Sequence, residues 1–128
     1  VFDLGAGQVA CAGAGHHQLV LLSPGRPPRL AFPSSGRPAG LMPFNPVERE
    51  SLPLSPGDTF VLFSDGVSEA MNAREEFFGE ARLLAHLGAL PAGAAPGEIV
   101  RSTLDAVRAF AAGAPQSDDI TILAARYR

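Results

Sequence analysis

Along the first half of the chain apolar residues come in short runs or loose alternation, and helical spacing begins only after residue 75. Residues 1–3 and 8–12 flank Gly5-Ala6-Gly7, whose glycines tolerate the positive φ of a tight turn, so a β-hairpin is predicted there. A strand is expected at 18–22, stopped by Ser23-Pro24-Gly25, and a short one at 29–32. Residues 33–46 hold four prolines and two glycines, which sustain neither a ladder nor a helix and read as a long surface loop. A half-exposed strand is expected at 47–54. The turn Ser55-Pro56-Gly57-Asp58 then hands over to Thr59-Phe60-Val61-Leu62-Phe63, whose unbroken apolar run fits a central strand covered on both faces.

From 76 to 90, Phe77, Leu83, Leu84, Leu87 and Leu90 keep helical spacing until Pro91 closes the segment. A second helix is predicted from Pro96, suited to a first turn beside Glu98, to Gly113-Ala114-Pro115. Its stripe of Ile99, Val100, Leu104, Val107 and Phe110 reads as core packing. Residues 85–97, rich in alanine and glycine, read as mobile, and 120–125 as the last strand. Several antiparallel strands, two helices and a returning strand make an α+β fold of antiparallel sheets flanked by helices, expected as a single domain over 1–128.

Charge narrows the partners. The 128 residues carry 10 bases and 13 acids, a net charge of -3, and every base is a singly placed arginine. Nucleic acid needs a concentrated basic face and is not an expected partner. No apolar stretch reaches the roughly 18 residues of a membrane span, and no basic region followed by an apolar core opens the chain, so no membrane contact is expected. The single cysteine, Cys11, excludes an internal disulfide and a multi-cysteine metal site, and in a predicted strand it reads as a small core residue. A reducing, cytoplasmic setting is expected.

Aspartates stand at two strand ends: Asp65 after 60–63, and Asp118-Asp119 before 120–123. If these strands are antiparallel neighbours, Asp65 meets Asp118 at one edge of the sheet. Converging carboxylates repel and desolvate each other unless a cation or a shared proton compensates. Oxygen ligands suit Mg²⁺ or Mn²⁺, and Gly66, lacking Cβ, lets the chain pass close to a hydrated ion or turn sharply away. The plainer reading stays open: an aspartate before a turn bonds local N–H groups, and a pair before a strand is merely solvated.

The segments "PGDTFVLFSDGVSEAMN" (56–72), "EEFFGEARLLAHL" (75–87) and "GAPQSDDITILAARY" (113–127) resemble the C-terminal half of bacterial serine phosphatases of the stage II sporulation protein E and sigma-factor regulator type. These lie within the metal-dependent protein phosphatase 2C superfamily. "AGAGHHQLVLL" (12–22) is similar to that family's strand-turn-strand ending in Ala-Gly-His, and "GRPAGLMP" (36–43) to its Gly-x-Pro-x-Gly loop. The resemblance implies an α/β/β/α sandwich, here partial, and hydrolysis of phosphoserine or phosphothreonine on a protein by water activated at two Mn²⁺ or Mg²⁺ ions. It maps Asp65 and Asp118 onto catalytic metal ligands and gives Asp119 to the metal site as a residue that orients its neighbour or a metal water. The implied substrate is a phosphorylated anti-sigma-factor antagonist, and a homodimer is left open.

Departures shape the expectation. The family's first-half motif, Asp-Gly followed by a further Gly, supplies a bridging aspartate, and the sole Asp-Gly here is Asp65-Gly66. The chain therefore reads as the second half of a catalytic domain, with a regulatory or protein-binding module as the alternative. Gly13 replaces the family's Asn before Ala-Gly-His. His16 and His17 read as one buried and one exposed side chain, since neighbours on a strand face opposite ways. Arg37 reads as a scattered surface arginine.

Overall fold

The structure, a computed structural model, describes residues 1–3, 5–13, 19–32, 40 and 49–128. In chain order the elements are β1 (Phe2–Asp3), β2 (Gln8–Ala12), β3 (Leu19–Leu22), β4 (Arg29–Ala31), β5 (Arg49–Pro53), β6 (Thr59–Phe63), α1 (Asp65–Ser68), α2 (Gly79–Ala89), α3 (Pro96–Ala111) and β7 (Ile122–Arg126). The strands form two antiparallel sheets, ordered β1-β2-β5 and β4-β3-β6-β7. The predicted first hairpin is present: Phe2 pairs with Val9, Gly7 takes a φ of 59°, and Asp3 Oδ1 accepts the Ala6 N–H at 2.9 Å.

The unbroken apolar run of β6 has its physical reason in the layering. On one face Val61 and Phe63 join Val20 of β3 in a core with Leu83 and Leu87 of α2 and Ile99 and Val107 of α3. On the other face Phe60, with Leu19 and Leu21, packs against Val9 of β2, and Cys11, Leu52 and Leu62 close around them. Helices therefore cover one side of the four-stranded sheet and the three-stranded sheet covers the other. Each buried Val, Leu or Phe side chain contributes about 1.5–3 kcal/mol, so β6, buried on both faces, is held by both cores. Cys11 lies where a small apolar residue is wanted, as expected.

Helix α3 starts where the sequence places it. Pro96 opens it, and the Glu98 carboxylate reaches back to accept the Ala95 N–H at 2.7 Å. It ends on Ala112 with a left-handed φ of 48°. Two differences from expectation stand out. Helix α2 begins at Gly79, not at residue 76, because Asn72 Oδ1 accepts the N–H groups of Arg74 and Glu76 and closes a loop there. Phe77 consequently bridges to Met71 and is 53% exposed, outside the apolar stripe assigned to it. The short helix α1 was not anticipated at all. Within residues 85–97, 85–89 belong to α2 and 96–97 to α3, as the two predicted helices require, and 90–95 connect them. Arg126 ties down the connection between them, donating from Nη1 to the Gly93 carbonyl at 3.2 Å and from Nη2 to that of Ala94, with Nε on Thr59 Oγ1 at 2.9 Å.

Asp58, only 4% exposed, fixes the entry to β6: its Oδ2 accepts the Ser55 N–H at 2.9 Å and its carbonyl accepts the Tyr127 N–H at 2.8 Å. No helix among the described residues is long and apolar enough to cross a membrane.

Candidate metal centre

Strands β6 and β7 are antiparallel neighbours in the register Phe63↔Ile122, so the end of one lies beside the start of the other. The chain leaves β6 through Ser64 and enters α1 at Asp65. It arrives at β7 through Asp118, Asp119, Ile120 and Thr121. Past the last ladder pair, Ser64 extends the contact. Its N–H donates to the Thr121 carbonyl at 3.0 Å. Its hydroxyl accepts the Thr121 N–H at 2.9 Å and donates to the Asp119 carbonyl at 2.8 Å.

Gly66 brings the two turns closer still. A Cβ on it would lie 2.5 Å from the Asp119 carbonyl oxygen, closer than real Cβ contacts come, and 3.0 Å from that of Asp118, a tight contact. Sequence reasoning assigned this glycine to close passage near an ion or to a sharp turn; what passes close is the 118–119 backbone. Two further bonds fasten the segment: Gln116 Nε2 donates to the Asp118 carbonyl at 2.8 Å, and Ser117 Oγ donates to the Glu69 carbonyl at 3.3 Å.

Each acid is partly committed to its own backbone. Asp65, half-buried at the start of α1, accepts the Gly66 N–H on Oδ1 at 3.1 Å, and Asp118, exposed, accepts the Asp119 N–H on Oδ1 at 2.6 Å. The local bonding of the plainer reading is thus present, and it leaves Oδ2 of each carboxylate for another ligand. Asp119 is exposed, and its carbonyl accepts the Ser64 hydroxyl. Among the described residues no group of three or more His, Cys, Asp or Glu is gathered to hold a metal. Beside the acids a cleft of ≈ 260 Å³ is walled by Gly66, Ala70, Met71, Val107, Ser117 and Ile120. Most of that wall is apolar.

His16, His17 and Arg37 lie outside the described residues, as does the Gly-x-Pro-x-Gly loop apart from Gly40. Ser64 is the residue that sequence reasoning left without a role. Its position before Asp-Gly-Val-Ser is a helix N-cap signature, yet its hydroxyl makes no cap bond and reaches across to 119–121 instead.

The two sheets with helices on one side are the fold of a phosphatase 2C-type phosphatase domain. The family model of stage II sporulation protein E matches residues 1–128, and the chain belongs to that family. It is 34% identical over 125 residues to Protein IcfG of Synechocystis sp., covering 97% of this chain and 19% of that protein. Among solved structures, the phosphatase domain of the cell fate determinant SpoIIE from Bacillus subtilis, in a form presoaked with Mn, superposes with a TM-score of 0.75 at 20% identity, over 98% of this chain and 53% of that one. The SiaA phosphatase 2C domain of Pseudomonas aeruginosa gives 0.74 at 27% identity, over 96% of this chain and 48% of that one. The chain thus spans about half of each solved domain and a fifth of IcfG.

Proposed function

We propose that this chain supplies Asp65 and Asp118 to a metal-dependent hydrolysis of phosphoserine or phosphothreonine on a protein. The observation that carries the reading is the meeting of the two acid-bearing turns, bridged by Ser64 and packed through Gly66. In kind, the donors fit a hard cation: carboxylate and carbonyl oxygens, with no sulfur or imidazole among them. Asp65 and Asp118 would hold Mn²⁺ or Mg²⁺ through the oxygens left over from their backbone bonds, and Asp119 would orient Asp118 or a water. A divalent cation there would supply Lewis acidity, activating water and offsetting charge on the phosphoryl oxygens. The chain's own part is to hold the two acid-bearing turns together, 64–66 against 118–121.

The substrate class that accompanies this reading is a phosphorylated anti-sigma-factor antagonist, as in sigma-factor regulation, and the free thiol of Cys11 suits a reducing cytoplasm. In the full-length protein, Asp65→Asn and Asp118→Asn should each lower Mn²⁺-dependent turnover of a phosphoserine peptide more than about 100-fold, since even outer partners of metal ligands are worth roughly 10–100-fold. Circular dichroism should be unchanged. Unaltered turnover in either variant would remove the assigned ligand.

A second reading rests on the same site's donor count. Two or three carboxylates, with no larger cluster among the described residues, are part of a binuclear set, and a chain with only that part would serve as a regulatory or protein-binding module. Calorimetric titration with Mn²⁺ of this chain and of the full-length protein separates the two: tight binding only in the longer form supports catalysis shared with other residues, weak binding in both supports the module.

A further inference from the structure

We infer that Ser64 is a positioning residue, the clasp that sets Asp65 and Asp118 in register for one cation; this rests on the metal-site reading above. The β6–β7 ladder ends at Phe63↔Ile122, and beyond it this hydroxyl adds two side-chain bonds to the backbone bond between Ser64 N–H and the Thr121 carbonyl. Serine at a helix N-cap ordinarily spends its hydroxyl on its own helix. Here α1 goes without that bond, and both capacities of the hydroxyl, donor and acceptor, go to the opposite turn. Asp65 follows Ser64 directly, and Asp118 precedes the residue whose carbonyl Ser64 holds. One hydroxyl therefore ties the residue before Asp65 to the residue after Asp118.

Alanine at this position removes both hydroxyl bonds and leaves the backbone bond to the Thr121 carbonyl, the Ser117–Glu69 bond and the Gly66 packing to hold the turns, so the 118–119 end loosens relative to α1. Threonine keeps the hydroxyl on an extended backbone, φ -82° and ψ 165°, that suits a β-branched residue. The experiment is an NMR titration of the full-length protein with Mn²⁺ alone, reading paramagnetic broadening of the Gly66 and Thr121 amide signals, alongside melting temperatures. Ser64→Ala should need about tenfold more Mn²⁺ for half-broadening, Ser64→Thr should track the unsubstituted chain, and Asp65→Asn should abolish site broadening. If Asp65→Asn loses binding while Ser64→Ala binds as the parent does, or merely melts earlier, the clasp is wrong and the metal reading stands. Undiminished broadening in Asp65→Asn overturns both. Should Ser64→Ala fail to fold, Ser64→Thr decides: a folded threonine variant with weakened Mn²⁺ binding overturns the inference.

Discussion

A methyl group on Gly66 would sit 2.5 Å from the Asp119 carbonyl oxygen. The clash is with backbone, so no side chain can rotate out of the way, and either α1 or the 118–119 turn must shift. In an open helical position Gly→Ala would stabilise by up to about 1 kcal/mol. Here we expect the opposite sign: Gly66→Ala should destabilise by about 1–3 kcal/mol, the range for forcing atoms into a filled space. Urea denaturation measures it, and a midpoint at or above that of the parent chain would show that the two turns are not in contact.

Leu83 and Leu123 separate the two kinds of leucine in this chain. Leu83 of α2 is 0% exposed in the core beneath β6, whereas Leu123 on β7 is 53% exposed. Leu83→Ala should cost about 2–5 kcal/mol through lost burial and the cavity left behind. Leu123→Ala should stay within about 0.5 kcal/mol. Equal losses in thermal melts of the two variants would mean that β7 is covered on the face where Leu123 lies open.

The strands were legible because their apolar runs are bounded by Gly, Pro, Ser and Asp, and because an uninterrupted run such as 60–63 has one economical explanation, cover on both faces. That the turn after β6 meets the turn before β7 was legible too, since it follows from making the two strands neighbours. What escaped the sequence were features decided by single polar side chains. Asn72 closes a loop that delays α2 and turns Phe77 outward, against its helical spacing. α1 is four residues long, too short to show a period. Ser64 drew no role and Gly66 only passage near an ion or a sharp turn, because the atoms they contact lie more than fifty positions away in sequence.

Glu76 offers a test by pH. Its carboxylate accepts a hydrogen bond from Asn72 Nδ2 at 2.8 Å, and this bond first, then the charge of Arg74, holds its carboxyl below the usual carboxylate range. Both favour the ionised form in the folded chain, so the folded value lies below the unfolded one. The loop's stabilisation is therefore fully present above the ordinary carboxylate pKa and is lost as pH falls through the lowered value. An NMR titration of the Glu76 side chain should show that low midpoint, and Asn72→Ala should return it toward the usual range. A midpoint unmoved by Asn72→Ala would transfer the effect to Arg74, and adding salt would then raise it, since an exposed charge pair is screened and a hydrogen bond far less so.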